Sequence, residues 1–373
     1  MAEQFQLREV FNPTLVEKLA GNIQQVWIDF EAGNFVQTVV SRLPELNFGD
    51  RSSLIADSLR RFLPDDYETA VSILIDALPP QLTGDMFSGY DGFEIMPQCL
   101  FVSRYGLDNF PVSINALYEM TKRFTAEGDI RPFIQNYPQK TMAFLHQITQ
   151  DESPFARRLA SEGTRPRLPL APRLPAFQKD PRPVLELLEK LKEDPNLMVR
   201  RSVANNLNDI SKDNPDIVVE TLERWQRLDT PEMDWIIAHA LRTILKQGHP
   251  GALRLLGYDP AARVVVSELE LSSYAIRVGE ELRFSFKVTS QEERPCALMI
   301  DYVVHYMKAN GQMKPKVFKA AKRRISPGEM ISIERGRSFK VINTRPYYPG
   351  QHALEIQING KRHAWADFTL AFD

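Results

Sequence analysis

The hydrophobic period of this chain changes once, at Tyr258-Asp259-Pro260, and that change limits the fold more than any other feature. Upstream, apolar residues recur every three or four positions, as in F-V-Q-T-V-V-S-R-L (Phe35 to Leu43), which is helix spacing. Downstream, segments such as A-R-V-V-V-S-E-L-E-L, E-L-R-F-S-F-K-V and H-A-L-E-I-Q-I-N-G alternate apolar and polar residues, which is strand spacing. Turn signals at Val278-Gly279, Pro327-Gly328, Pro349-Gly350 and Asn359-Gly360 separate these segments. With 373 residues the chain is long enough for two domains, so a helical domain over 1–258 and an antiparallel β-sandwich over 261–373 are expected. The sandwich should hold about seven short strands.

Within the helical part, Asn12-Pro13 supplies an N-cap followed by proline in the first turn, and helical spacing continues to about Leu63. Further helices are expected at about 67–78, 96–104 and 111–124, interrupted by the Gly-rich stretch Leu78 to Phe93. Tyr90 and Phe93 in that stretch are expected to plug one side of the helical array. Helix-start signals then repeat at Asp180-Pro181, Asp194-Pro195, Asn214-Pro215 and Thr230-Pro231, so alternate starts lie 34 and 36 residues apart. That is the period of a helix pair, and stacked pairs make a solenoid with one concave face. In the helix near Pro195, Val199, Val203, Leu207 and Ile210 form the apolar stripe, which leaves Arg201, Asn205, Asn208 and Lys212 opposite, with Asp209 at the edge. In the helix after Pro231, Trp235, His239, Arg242 and Lys246 align at i, i+4, i+7 and i+11. One aromatic and three donors in a row suit a nucleic-acid backbone.

A composition of 43% hydrophobic and 25% charged residues is that of an ordinary soluble globular protein. Cys99 and Cys296 are the only cysteines and lack metal-ligand spacing, so neither a disulfide framework nor a zinc site is suggested. No basic-then-apolar leader and no run of about 18 apolar residues occurs, so a cytoplasmic setting without membrane insertion is expected. The net charge of −2 conceals an asymmetry: residues 1–120 carry −10, residues 121–260 carry +2 and residues 261–373 carry +6. A polyanion should therefore lie against the middle and the C-terminal part. Residues 308–345 hold eleven Lys/Arg against two Glu, among them Lys316, Lys319, Lys322, Arg323, Arg324, Arg335, Arg337 and Arg345, and a phosphate-facing hairpin is expected there.

One segment stands out from this background. Phe155 to Phe177 reads F-A-R-R-L-A-S-E-G-T-R-P-R-L-P-L-A-P-R-L-P-A-F, with five arginines and four prolines around one acid, Glu162. It should begin as a helix and continue as a stiff cationic loop. As a bare pattern it reads either as a Pro-rich linker with solvated charges or as a phosphate grip that keeps one carboxylate for a cationic intermediate. Arg157, Arg158, Arg165 and Arg167 are the expected phosphate contacts in the second reading.

S-E-G-T-R-P-R-L-P, with T-A-E-G-D-I-R-P-F (Thr125 to Phe133) upstream and V-R-R-S-V-A-N-N-L-N-D (Val199 to Asp209) downstream, resembles the alkylpurine DNA glycosylases built from HEAT-like repeats. More narrowly it resembles their AlkC branch, whose longer members end in an immunoglobulin-like domain, and the likeness spans nearly the whole chain. The resemblance implies a HEAT-like helical-repeat solenoid followed by an immunoglobulin-like β-sandwich. It implies a monofunctional, cofactor-free enzyme that acts as a monomer on double-stranded DNA and removes bases of the 3-methyladenine or 3-methylcytosine type. The family's catalytic acids fall by motif on Glu127, Glu162 and Asp209. A base alkylated at a ring nitrogen carries positive charge and leaves readily, so carboxylates need only stabilise an oxocarbenium-like sugar and position water.

Two positions depart from the family pattern. Leu170 replaces a tryptophan that commonly ends R-L-P-W, removing an aromatic face, and Gly128 follows Glu127 where a bulkier residue is usual. These departures favour a non-catalytic DNA-structure binder as the second hypothesis, and the acidic N-terminal third favours a HEAT-type interaction scaffold as the third.

Overall fold

A computed structural model describes residues 6–84, 92–341 and 346–372, so Tyr90 and Arg345 lie outside the described residues. The helices are α1 (Pro13–Val26), α2 (Ala32–Val40), α3 (Phe48–Phe62), α4 (Tyr67–Asp76), α5 (Met96–Tyr105), α6 (Phe110–Thr121), α7 (Arg131–Asn136) and α8 (Pro138–Gln147). They continue as α9 (Pro154–Glu162), α10 (Pro175–Lys179), α11 (Arg182–Leu191), α12 (Leu197–Ile210), α13 (Pro215–Trp225), α14 (Pro231–Ala240), α15 (Arg242–Lys246) and α16 (Pro250–Leu255). Local chemistry starts several of them. Asn12 accepts from Leu15 N at 3.0 Å, Asn47 from Asp50 N at 3.1 Å and Asp66 from Thr69 N at 2.9 Å, each satisfying an orphan amide of a first turn. α13 and α14 begin at the expected prolines, but α12 begins two residues late. Its cap is Asn196, which accepts from Met198 N at 2.7 Å, while Asp194 is used elsewhere.

Helices α9, α12 and α14 are successive neighbours in one layer, and α11 packs against both α9 and α12. This layer places the segment ending at Glu162 beside the one carrying Asp209. Upstream, Phe93 sits among the rings of Phe11, Phe48 and Phe124, at 6.3, 6.3 and 4.9 Å between centroids.

The strands are β1 (Val264–Leu271), β2 (Ala275–Arg277), β3 (Glu281–Ser290), β4 (Cys296–Met307), β5 (Met313–Ile325), β6 (Met330–Ser338), β7 (Gly350–Ile358) and β8 (Lys361–Ala371). They form a three-stranded sheet, β1-β3-β6, and a five-stranded sheet, β2-β8-β7-β4-β5. Alternation sends Leu282, Phe284, Phe286 and Val288 of β3 and Leu298, Ile300, Tyr302 and Val304 of β4 into one core. Each such side chain contributes roughly 1.5–3 kcal/mol on burial. Two details differ from expectation. Eight strands are present among the described residues, and the short β2 pairs with β8 in parallel while the other pairings are antiparallel.

The change from helix to strand falls between Leu255 and Val264, but compactness divides the chain elsewhere. One unit holds Met1–Asn214 with Leu228–Ala240, and the other holds Pro215–Arg227 with Leu241–Asp373. The second unit therefore includes α13, α15 and α16, for visible reasons. Gln357 Nε2 donates to Lys246 O at 3.2 Å, and Asn359 Nδ2 donates to Asp259 O at 2.8 Å. Gly248 and Gly360, with φ of 79° each, meet backbone to backbone: a Cβ on Gly360 would stand 2.3 Å from Gly248 Cα. Leu253, Tyr258 and Met299 close a small apolar cluster beside this joint.

Candidate active site: three acids in one ion-pair network

Glu162 is the last residue of α9, and Gly163 follows it still in helical geometry, with its N–H donating to Leu159 O at 2.9 Å. A Cβ at Gly163 would lie 2.6 Å from Ile130 Cγ2, so only glycine lets the end of α9 approach the turn that carries Glu127. Arg131, fully buried just beyond that turn, fastens the approach. Its Nη1 donates to Gly163 O at 3.0 Å and to Arg165 O at 2.8 Å, and its Nε donates to Pro172 O at 2.7 Å. Burial pulls Arg131 down to about 10, assisted by neighbouring Arg165 and opposed by Asp209, so it stays charged at neutral pH.

Around this joint the three motif acids converge. Arg165 bridges two of them, with Nη1 2.6 Å from Glu162 Oε1 and Nε 2.8 Å from Asp209 Oδ2. Arg158 reaches both Glu127 oxygens at 3.2 and 3.3 Å, Thr125 Oγ1 at 3.0 Å, and lies 3.8 Å from Glu162 Oε1. Lys212 Nζ holds the other Asp209 oxygen at 2.7 Å, and Ser202 Oγ donates to Glu162 Oε2 at 2.5 Å. For Arg165, burial lowers the pKa but Glu162 and Asp209 more than reverse it; for Arg158, burial is outweighed by Glu127 and Glu162. Three carboxylates are thus balanced by three cations, each acid within reach of at least one.

Access to the acids is unequal. The side chains of Glu127, Glu162 and Asp209 are 18%, 8% and 2% exposed. Gly128 adds nothing to the rim, since a Cβ there would meet no atom within 4 Å, and the open space lies beside the most accessible acid. Among the described residues, no three His, Cys, Asp or Glu side chains are arranged to hold a metal ion. No helix among them is long and apolar enough to cross a membrane.

The arginines expected at phosphates are placed differently. Arg157 forks onto Asp194 at 2.6 and 3.0 Å and also donates to Asp151 O and Glu152 O. Arg158 and Arg165 are the internal bridges just described. All three side chains are 15% exposed or less, so their positive charge is directed at acids of this chain and not at its surface. Arg167 is more open but forks onto Asp213 at 2.6 and 2.8 Å.

Residues 265–372 match the family model described as "Uncharacterised protein YhaZ, C-terminal Ig-like domain". "Uncharacterized protein YhaZ" of Bacillus subtilis (strain 168) is 38% identical over 365 residues, which covers 98% of this chain and 99% of that one. A solved structure of the Pseudomonas fluorescens alkylpurine DNA glycosylase AlkC, bound to DNA containing an abasic site analogue, superposes with a TM-score of 0.89. That match is 35% identical and covers 98% of this chain and 100% of the other. The chain belongs to the AlkC family. Its AlkC architecture is the helical region followed by an immunoglobulin-like β domain.

Other residues singled out in this AlkC-family sequence are scattered by the fold. Asn205 Oδ1 accepts from His239 Nε2 at 3.0 Å, and His239 stacks on Trp235 at 4.9 Å and 12°. α14 ends at Ala240, whose O accepts at 2.8 Å from Nδ2 of buried Asn208, a residue expected on the polar face. Leu241 is a turn, and Arg242 and Lys246 belong to the second compact unit. Arg201 is exposed on α12.

The basic run is not one hairpin, since β5 and β6 lie in different sheets. Cross-strand pairing puts Lys319, Lys322 and Arg324 on the face of Asp301 and Met299, but Lys316 and Arg323 on the face of the core residues Val304 and Leu298. Arg335 Nε donates to Ala320 O at 2.8 Å, and Arg337 Nε donates to Tyr306 Oη at 2.9 Å with its guanidinium 4.1 Å above Phe318. Those two arginines tie the sheets together. A cleft of about 570 Å³ at the β4–β5 turn is lined by Lys308, Asn310, Gln312, Lys314 and Tyr348 and contains none of the three acids.

The sequence reading gives Ser202, Arg131 and Thr125 no site role, and gives Lys212 only a place on the polar face of its helix. Ser202 carried a usable signal: it precedes Asp209 by two helical turns and so shares its face. Thr125 and Arg131 lie inside the first motif, but only tertiary contacts give them a role.

Proposed function

We propose that this protein is a DNA repair glycosylase that hydrolyses the N-glycosidic bond of cationic N-alkylated bases, of the 3-methyladenine or 3-methylcytosine type, in double-stranded DNA. What carries the reading is the convergence of Glu127, Glu162 and Asp209 from three separate motifs through Arg158 and Arg165. Family membership supports the same reaction, as the AlkC of Pseudomonas fluorescens is itself an alkylpurine DNA glycosylase.

In the proposed reaction the bond from C1′ to the base nitrogen breaks, and its electron pair neutralises the positive base, which leaves without added protonation. The sugar becomes oxocarbenium-like, and water adds through oxygen at C1′ while its proton passes to a carboxylate. Glu127, as the most accessible acid, takes the role of meeting the water. Glu162 supplies negative potential to the sugar cation from a position fixed by Arg165 and Ser202. Asp209, held on both oxygens by Arg165 and Lys212, positions Arg165 and does not itself touch substrate.

The test is release of methylated base from methylated duplex DNA, with product counted as abasic sites under enzyme excess. Release by the wild-type protein, lost in a Glu127→Gln and Glu162→Gln double variant, is the expected result. Salt-dependent DNA binding with no base released by wild type would replace this reading with a DNA-structure binder.

A further inference from the structure

Glu127 and Asp129 share one turn, closed by Asp129 N and Ile130 N donating to Ala126 O at 3.1 and 3.0 Å, with Gly128 between the two acids. Their carboxylates are held differently. Both Glu127 oxygens face the Arg158 guanidinium at 3.2 and 3.3 Å, so a proton arriving on either one displaces a charge-assisted hydrogen bond. Asp129 is half-buried and turned to α5, where Ser103 Oγ donates to its Oδ1 at 2.7 Å. No cation among the described residues pairs with it, because Arg104 of α5 is bonded instead to Asp57 and Ser53 and acts on Asp129 only from a distance. Burial pushes the Asp129 carboxyl up to about 7; Ser103 opposes this, Glu127 adds to it and Arg104 opposes it. Cys99 of α5 stays a neutral thiol, raised by its own burial and by both acids. Gly128 has no left-handed backbone, and a Cβ there would meet no atom within 4 Å, so neither conformation nor packing calls for glycine. What glycine leaves is open space between Glu127 and Asp129.

We propose that Asp129 is the proton acceptor behind Glu127, receiving across the open side of Gly128 the proton that Glu127 takes from the attacking water. The inference rests on the DNA glycosylase reading above. The water oxygen bonds to C1′ through a lone pair, and the electrons of one O–H bond return to that oxygen as the proton moves to Glu127. Arg158 disfavours its staying there. Solvent over Gly128 carries it on to Asp129, which has no paired cation to displace, and Asp129 gives it up to bulk water before the next turnover. The net products are the abasic sugar, the neutral base and one proton. A carboxylate that binds and releases protons near the working pH transfers them best, and two acids whose surroundings differ this much divide such work between them. Asp129 touches no reacting atom and acts through Glu127.

The test is single-turnover excision from methylated duplex DNA by the full chain, with enzyme in excess and saturating, from about pH 5 to about pH 9. Wild type should gain about tenfold per pH unit up to about pH 7 and level off above it, because only ionised Asp129 accepts a proton. Asp129→Asn keeps a carbonyl oxygen for Ser103 and imitates the protonated acid. It should match wild type near pH 5, show no rise, and run about a hundredfold slower near pH 8, with unchanged affinity for a duplex holding an abasic-site analogue. Asp129→Glu should restore the rise. Ser103→Ala removes a hydrogen bond that favours the charged acid, so the inflection should move to higher pH, a shift that a purely structural contact would not produce. If Asp129→Asn follows the wild-type profile, or loses rate evenly at every pH, Asp129 takes no proton and this proposal alone fails. If wild type releases no base at any pH, the glycosylase reading fails and the proposal falls with it.

Discussion

Replacing Glu162 with glutamine isolates charge from shape. Glu162 Oε1 meets Arg165 at 2.6 Å and Oε2 accepts from Ser202 at 2.5 Å. In the variant the amide oxygen keeps the arginine, and the amide nitrogen faces Ser202, whose hydroxyl reverses to acceptor. The freed hydroxyl proton has Ser161 Oγ, 2.9 Å away, as its new partner. Arg165 still holds Asp209. The folding cost should therefore be about 1–2 kcal/mol, the scale of one charge-assisted hydrogen bond weakened to a neutral one. The chemical cost is larger. On the proposed reaction, one negative charge acting on a sugar cation over about 5 Å, at an effective dielectric of about 20, contributes about 3 kcal/mol, or about two powers of ten in rate. With the balance of the cluster tipped positive, single-turnover excision should fall by roughly two to four powers of ten while affinity for an abasic-site analogue changes little. The assay is excision with enzyme in excess and saturating. If Glu162→Gln excises within about threefold of wild type but loses affinity and melting temperature, Glu162 is a clamp for the arginines and has no part in the chemical step.

Three further outcomes follow from other parts of the molecule. Burial pushes Asp301 up to about 6, and Lys246, Lys319 and Lys322 reverse this only in part; its Oδ2 has no hydrogen-bond partner among the described residues. The folded state then keeps a proton over about pH 4 to 6 that the unfolded chain has lost, so stability falls as pH rises through that window. Asp301→Asn should flatten the melting temperature there and raise it at pH 8, and a variant that tracks wild type from pH 4 to 8 contradicts the assignment. Gly360→Ala should cost roughly 2–3 kcal/mol in urea unfolding, because its Cβ would sit 2.3 Å from Gly248 Cα on a backbone with φ of 79°; an unshifted midpoint would mean the two backbones do not meet. Changing Lys319, Lys322 and Arg324 together to glutamine should reduce the slope of log affinity against log salt by about two to three, as three lost phosphate contacts require. A slope equal to wild type places that face away from DNA.

By itself the sequence determined what depends on neighbouring residues. Period and turn chemistry separated helices from strands near Tyr258, and Asn12-Pro13, Asn214-Pro215 and Thr230-Pro231 marked helix starts where the structure has them. Three motifs marked Glu127, Glu162 and Asp209. Tertiary structure decided the direction in which each charge acts, because that depends on what an adjacent element presents. Arg157, Arg158 and Arg165 read as surface cations until Asp194, Glu127, Glu162 and Asp209 arrive from elsewhere in the chain to receive them. Trp235, His239, Arg242 and Lys246 read as one helix, but α14 ends at Ala240 and Arg242 and Lys246 lie on α15. Lysines and arginines spaced along 308–345 read as one face until β5 and β6 separate into different sheets. A helical or alternating period fixes which side of its own element a residue occupies, whereas the partner that neutralises or buries it lies at a sequence distance no local pattern encodes.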